Sequence, residues 1–245
     1  MITNSILGKT QSIFITKRID EPTKKPGRKG SAMICTEDLN PNLKNLLEKK
    51  IKYTFSEKID GTCCLIRNGK LHKRRDVKPK YKRGKLINAN PTPPNNWIPT
   101  SEKDKKGHWI GFLPLDEKSN DDKYHRMVLN EDRTIGKFLF FKNNEFYEKE
   151  EKLSNYNEKT VELIGPKING NLYNLNDYYL VIHGSIPIID PPEINLKSIK
   201  KWFNESKNSG IEGFVIHFEN GDSFKLHRYY LKLPWDSSIK KNLIK

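Results

Sequence analysis

The sequence predicts a mixed α/β (α+β) fold in which predominantly antiparallel sheets are flanked by helices. Three observations lead there. Short runs rich in β-branched and aromatic residues recur around Tyr53–Ile66, which is long enough for two strands, and at Val161–Gly165, Tyr178–His183 and Ile211–Ile216, each of strand length. Asn220-Gly221, set between the last of these and Phe224–His227, is a strong two-residue turn signal for an antiparallel hairpin. Apolar residues at helical spacing occur in only two places, near Pro41–Lys50 and Leu196–Lys207, so helices are the minority element.

Along the chain, residues 1–50 read as an N-terminal arm that packs on a catalytic domain spanning 51–245. The arm holds a short strand near Ser12–Thr16, a basic Pro/Gly loop from Pro22 to Gly30, and a helix with Asn40 as its cap and Leu43, Leu46 and Leu47 inward. Phe55–Ile66 reads as two short strands meeting at Asp60-Gly61. A strongly basic stretch follows from Lys70 to Lys85, and the Pro and polar content of Asn88–Lys106 predicts a long loop with Trp97 placed to pin it. Leu196, Ile199, Trp202 and Phe203 share one face of the second helix, and Gly210 lies beyond its end.

With 245 residues the chain is long enough to bury a core, and a single catalytic domain is the simplest division. Its formal net charge of +15 fits a polyanionic partner. The chain is also rich in Lys, Asn and Ile together, so part of that charge belongs to solvated faces. Cys35, Cys63 and Cys64 form no metal-type spacing, and adjacent Cys63 and Cys64 would point to opposite faces of a strand. Reduced thiols, no membrane-length apolar stretch and no signal peptide together predict a soluble cytoplasmic protein with no membrane partner.

The chemistry centres on Lys58-Ile59-Asp60-Gly61. A lysine amine attacks a nucleotide phosphate only when unprotonated, and a strand leading into a Gly turn can supply a pocket that favours that form. Alone, such a string is readily met by chance in a lysine-rich chain. The predicted terminal hairpin adds to it: a two-residue turn at Asn220-Gly221 sets Lys225 opposite Ile216 and His227 opposite Phe214, so Glu212, Lys225 and His227 share one face. An acid beside two potential cations makes a phosphate-and-metal surface. A bulge at Gly213 would send Glu212 to the other side.

The ordered set Lys58-Ile-Asp-Gly61, Val161-Glu-Leu-Ile-Gly165, Ile211-Glu-Gly-Phe-Val-Ile216 and Phe224-Lys-Leu-His227 resembles motifs I, III, IV and V of the covalent lysine nucleotidyltransferases: DNA ligases, RNA ligases and mRNA capping enzymes. The run Glu57-Lys-Ile-Asp-Gly-Thr-Cys-Cys64, the segment Gly107-His-Trp-Ile-Gly-Phe-Leu-Pro114 with Lys123-Tyr-His125, and Ile211 to Trp235 look like the animal 5′-3′ RNA ligase family. The resemblance implies a nucleotidyltransferase domain. It also implies ATP and magnesium as cofactors, with manganese as an alternative metal, and RNA with 5′-phosphate and 3′-hydroxyl ends as partner, without an obligate protein partner. By the same resemblance Lys58 is the nucleophile, Glu57 helps recognise adenine, Glu162 binds the ribose hydroxyl, Glu212 holds the metal, and Lys225 contacts the α-phosphate. His227 departs from the lysine usual at its place. Arg75, or Arg74 beside it, contacts nucleotide or 5′-phosphate; His183 or Tyr179 stacks on the base, with Val215 as the other wall, although the two-residue turn faces Val215 away from Lys225. A capping guanylyltransferase and an inactive RNA-binding domain are the alternatives. The 20 residues after Lys225 are too few for a C-terminal OB-fold.

Overall fold

Strand-forming residues dominate the chain, and the computed structural model is the mixed α+β fold that they predict, with mostly antiparallel sheets and three short α-helices among the described residues. It describes residues 10–22, 29–104 and 106–233, together with Leu243. The centre of the expected Pro22–Gly30 loop and the end of the Ile211–Trp235 segment lie outside them. The chain divides into two compact units, one built from Thr10–Ile59 and Ile186–Ile239, the other from Asp60–Ser185. This differs from the expected boundary at residue 50: the division falls inside the Lys58-Ile-Asp-Gly61 string itself.

The first unit contains a four-stranded sheet in the order Gln11–Ser12, Ser223–His227, Gly213–Phe218, Tyr53–Glu57. Gln11–Ser12 joins in parallel and the other neighbours are antiparallel. Phe55, Phe214, Ile216, Phe224 and Leu226 are buried on one face, as the two-residue alternation of strand side chains requires. The helix Leu196–Asn204 supplies Ile199, Trp202 and Phe203 to that core. Its N-cap Asn195 accepts a hydrogen bond from the Ser198 amide at 2.8 Å, and it ends short of Lys207, where a 3₁₀ turn over Ser206–Asn208 follows. The helix Pro41–Glu48 is capped by Asn40, as the sequence predicts, and buries Leu43 and Leu46. Phe14–Pro22 and Lys29–Leu39 form a separate antiparallel pair, so the expected short strand near Ser12–Thr16 is in fact two strands parted at Ile13.

The second unit is built on an eight-stranded sheet in the order Glu145–Lys152, Ile135–Lys142, Tyr179–Ile182, Lys159–Ile164, Thr62–Arg67, Lys70–Arg74, Gly111–Pro114, Ile98–Pro99. Ile135–Lys142 meets Tyr179–Ile182 in parallel, while the remaining neighbours are antiparallel. Cys64, Val161, Leu163, Phe138 and Leu180 are buried in its core. Trp97 does pin its segment: its indole N–H donates to the Arg75 carbonyl at 2.5 Å and its ring meets Trp109 edge-on at 4.7 Å.

Two expectations need correction. The strands flanking Asp60-Gly61 do not pair with each other: Tyr53–Glu57 lies in the first sheet and Thr62–Arg67 in the second. The reason lies in the glycine. A Cβ on Gly61 would stand 2.3 Å from the Leu163 carbonyl oxygen, so the chain uses Gly61 for close approach to the neighbouring strand rather than for a hairpin turn. The terminal hairpin is also one residue out of the expected register, pairing Lys225 with Val215 and His227 with Gly213. Phe218 N donates to Asp222 O at 2.9 Å and Gly221 N to Phe218 O at 2.9 Å. Glu219-Asn-Gly221 is therefore a three-residue loop, and Gly221 at φ 92° takes the left-handed conformation that ends such loops.

Candidate active site

The corrected register rearranges the residues around Lys58. Lys225, His227 and Val215 lie on the sheet face opposite Phe214 and Ile216, which removes the conflict over Val215. The buried residue Ser56 pairs with Val215 and its hydroxyl lies 2.7 Å from His217 Nε2. One face is thus apolar core and the other polar. Glu57, whose cross-strand partner is Phe214, stands on the core side of the sheet rather than with Lys225 and His227.

Glu212 is just outside its strand, so alternation does not bind it. Its carboxylate turns to Lys58, whose Nζ donates to Oε1 and Oε2 at 2.6 Å each. His227 Nε2 lies 2.5 Å from Oε1. The backbone fixes both partners: Lys58 N donates to Gly213 O at 2.9 Å, and Arg228 N donates to Glu212 O at 2.9 Å. His227 Nδ1 accepts from the Tyr229 amide at 3.0 Å, which leaves the proton on Nε2, directed at Glu212. The Glu212 side chain is 4% exposed and that of Lys58 24%. Burial pushes the Glu212 carboxyl up, but the His227 hydrogen bond and the Lys58 ammonium outweigh it and hold the group below its ordinary value.

Within the second unit, register brings together another group. Glu162 pairs with Cys63 on one side and Val181 on the other, so they share a face. Glu162 Oε1 accepts from the Gly61 amide at 3.1 Å and Oε2 lies 2.6 Å from His183 Nε2. His183 Nδ1 is 2.8 Å from the Thr160 hydroxyl. Ligand atoms of Cys63, Glu162 and His183 lie within 4.8 Å of one another. Burial first, then the Glu162 charge, pushes the Cys63 thiol up to about 12. Cys64, on the opposite face as alternation predicts, is fully buried.

Of the alternatives left open by the sequence, Arg74 is the arginine that interacts with Cys63; its guanidinium is also paired with Asp76 at 2.9 Å. Arg75 contributes its backbone, with its amide donating to Gly111 O at 2.8 Å. His183 stands with Glu162, whereas the Tyr179 hydroxyl donates to Glu148 at 2.6 Å. Sequence reasoning missed Ser56, His217 and Thr160. His217 shares a strand face with Val215 by simple alternation, and the right loop length shows that this is also the face of Lys225 and His227.

Comparison with known proteins bears on this arrangement. The sequence model of the RNA ligase 1 family matches residues 88–243. The chain belongs to the RNA ligase 1 family. RNA ligase 1 of Danio rerio is 29% identical over 270 aligned positions, covering 94% of this chain and 82% of that protein. RNA ligase 1 of Mus musculus and that of Pongo abelii are each 28% identical over 271 positions with the same coverage. The sequence resemblance to animal RNA ligases thus holds over nearly the whole chain, and membership supports an RNA ligase function on an RNA substrate. No helix among the described residues is long and apolar enough to cross a membrane.

Proposed function

We propose that this RNA ligase 1 family member is ATP-dependent and joins 5′-phosphate and 3′-hydroxyl RNA ends through a lysyl-AMP intermediate. The observation that carries the reading is the Lys58–Glu212 pair with His227 on the same carboxylate. Lys58 Nζ is held on the Glu212 carboxylate at 2.6 Å, which aims the nitrogen, and the amine attacks once it has lost its proton to water. The Nζ–phosphorus bond forms at the α-phosphate as the bond to the β-phosphate oxygen breaks, and pyrophosphate departs. The RNA 5′-phosphate then takes AMP from Lys58, and a 3′-hydroxyl attacks the activated end with AMP leaving.

The remaining residues bind and orient. In this reading Glu162 holds the ribose hydroxyl, Arg74 or Arg75 meets the 5′-phosphate or nucleotide, and Lys225 and His227 face the α-phosphate. His183 and Val215 serve the base, and Glu57, on the core side of its sheet, takes no part in this reading. Glu212, an ionised oxygen donor, is the kind of group a hard divalent cation takes, and magnesium or manganese there would neutralise charge on phosphate oxygens. Glu212 is held in its anionic form, and a cation there would share its oxygens with Lys58 Nζ and His227 Nε2. The basic run from Lys70 to Lys85 holds RNA phosphates.

The test is a ligation gel with matched RNA and DNA nicked or hairpin substrates, each with ATP or GTP. Sealing of RNA ends with ATP, far better than all-DNA strands, is expected. Transfer of GMP to a diphosphate RNA end, or equal sealing of DNA nicks, would contradict the reading.

A further inference from the structure

Between Asp76 and Glu102 the sequence holds no acidic residue, yet it holds Lys78, Lys80, Lys82, Arg83 and Lys85. The structure turns this run into a distinct object. Lys80–Lys82 and Lys85–Asn88 pair only with each other, as a two-stranded sheet apart from the eight-stranded one. All seven residues of the two strands are exposed. An isolated two-stranded ribbon in water is marginal by itself, so what it offers to a partner matters.

Its register sorts the side chains. Tyr81 is opposite Leu86 and therefore shares a face with it, while Lys82 is opposite Lys85 on the other face. Tyr81 is 64% exposed, Leu86 53% and Ile87, next to the register shift, 60%. Like charges directly opposite destabilise a ribbon, and a chain selected for hairpin stability alone would not keep Lys82 against Lys85. The turn adds a third cation at some conformational expense. Arg83 and Gly84 have φ of 51° and 79°, the two left-handed positions of a type I′ turn in which Asn or Asp is the favoured first residue. A partner that neutralises the cations and covers flat apolar groups would relieve all of this together. Unpaired RNA does both, with phosphates along its backbone and bases that stack on aromatic side chains.

We propose that this hairpin is a binding surface for single-stranded RNA, with Tyr81 stacking on an unpaired base, Leu86 and Ile87 beside it, and Lys82, Arg83 and Lys85 on phosphates. The inference rests on the RNA ligase reading and adds to it where the RNA lies and in what form. A basic, apolar ribbon could also touch an anionic lipid surface, and the test includes that outcome.

Anisotropy of fluorescent 5′-phosphorylated RNA, single-stranded or blunt duplex, is titrated with the full chain across a salt series, with co-sedimentation on anionic phospholipid vesicles as a second arm and AMP labelling as a control. Tyr81→Ala is expected to weaken single-strand binding about tenfold and Tyr81→Phe to leave it near wild type. Arg83→Asn, which suits the turn better, is expected to keep the fold and lower the salt slope by about 0.7, the share of one phosphate contact on a single strand. All three should take AMP as the wild type does. Unchanged RNA binding by Tyr81→Ala and Arg83→Asn, with labelling intact, overturns this inference alone. So does a loss that is equal for blunt duplex, or variants that lose binding only to anionic phospholipid vesicles. A wild-type chain that neither takes AMP nor binds RNA overturns both this inference and the ligase reading.

Discussion

Glu212 is nearly sealed from water, yet it is held anionic by two groups that each need it: Lys58 donates to both of its oxygens and His227 lies 2.5 Å from one of them. A carboxyl held below its ordinary value of 4.5 stabilises the fold at pH above that value, and the contribution is lost as pH falls through the lower, folded value. Glu212→Gln is therefore expected to cost about 2 kcal/mol at pH 7, because charge-assisted bonds become neutral ones. The gap to wild type should narrow once pH drops below about 4.5. Urea unfolding at a series of pH values measures it, and a gap that is constant with pH would show that the carboxylate charge does not contribute. Lys58, Glu162 and Glu212 could each be singled out as candidates in the sequence because their motifs are local. Where Arg74 and Arg75, or His183 and Tyr179, turn their side chains could not be read there, because that depends on which strand face each takes.

At the scale of the element, the terminal hairpin shows how a small error travels. Asn220-Gly221 reads as a two-residue turn, but Gly221 at φ 92° closes a three-residue loop. One extra residue exchanges the faces of a strand, so Val215 moves to the side of Lys225 and Phe214 away from His227. Gly213 anchors this arrangement. A Cβ there would lie 2.1 Å from the Leu226 carbonyl oxygen, and backbone cannot move aside as a side chain can. Gly213→Ala is expected to destabilise by about 3 kcal/mol, a drop in Tm of roughly 6–12 °C for a chain of this size, read by thermal melting. A melt indistinguishable from wild type would mean that the strand tolerates a shifted register. The sequence also showed the Lys70–Lys85 charge while hiding its hairpin, since Arg83-Gly84 lacks the usual turn dipeptide.

For the molecule as a whole, the α+β class, the strand runs and both longer helices were legible, because short β-rich runs and helical spacing are local signals. The division into two units was not. Ile59 ends one stretch and Asp60 begins the next, in the middle of four residues that the sequence presents as one motif. Gly61 in the second unit meets Glu162 through its amide, which ties the motif glycine to the residue expected to hold ribose. The central claim is that Lys58 is the residue that takes AMP from ATP and passes it on, and mass mapping of protein incubated with ATP and magnesium tests it most directly. One AMP adduct on Lys58, absent in Lys58→Ala while circular dichroism stays native, is the expected result; an adduct on a different residue, or full ligation by Lys58→Ala, would contradict the account.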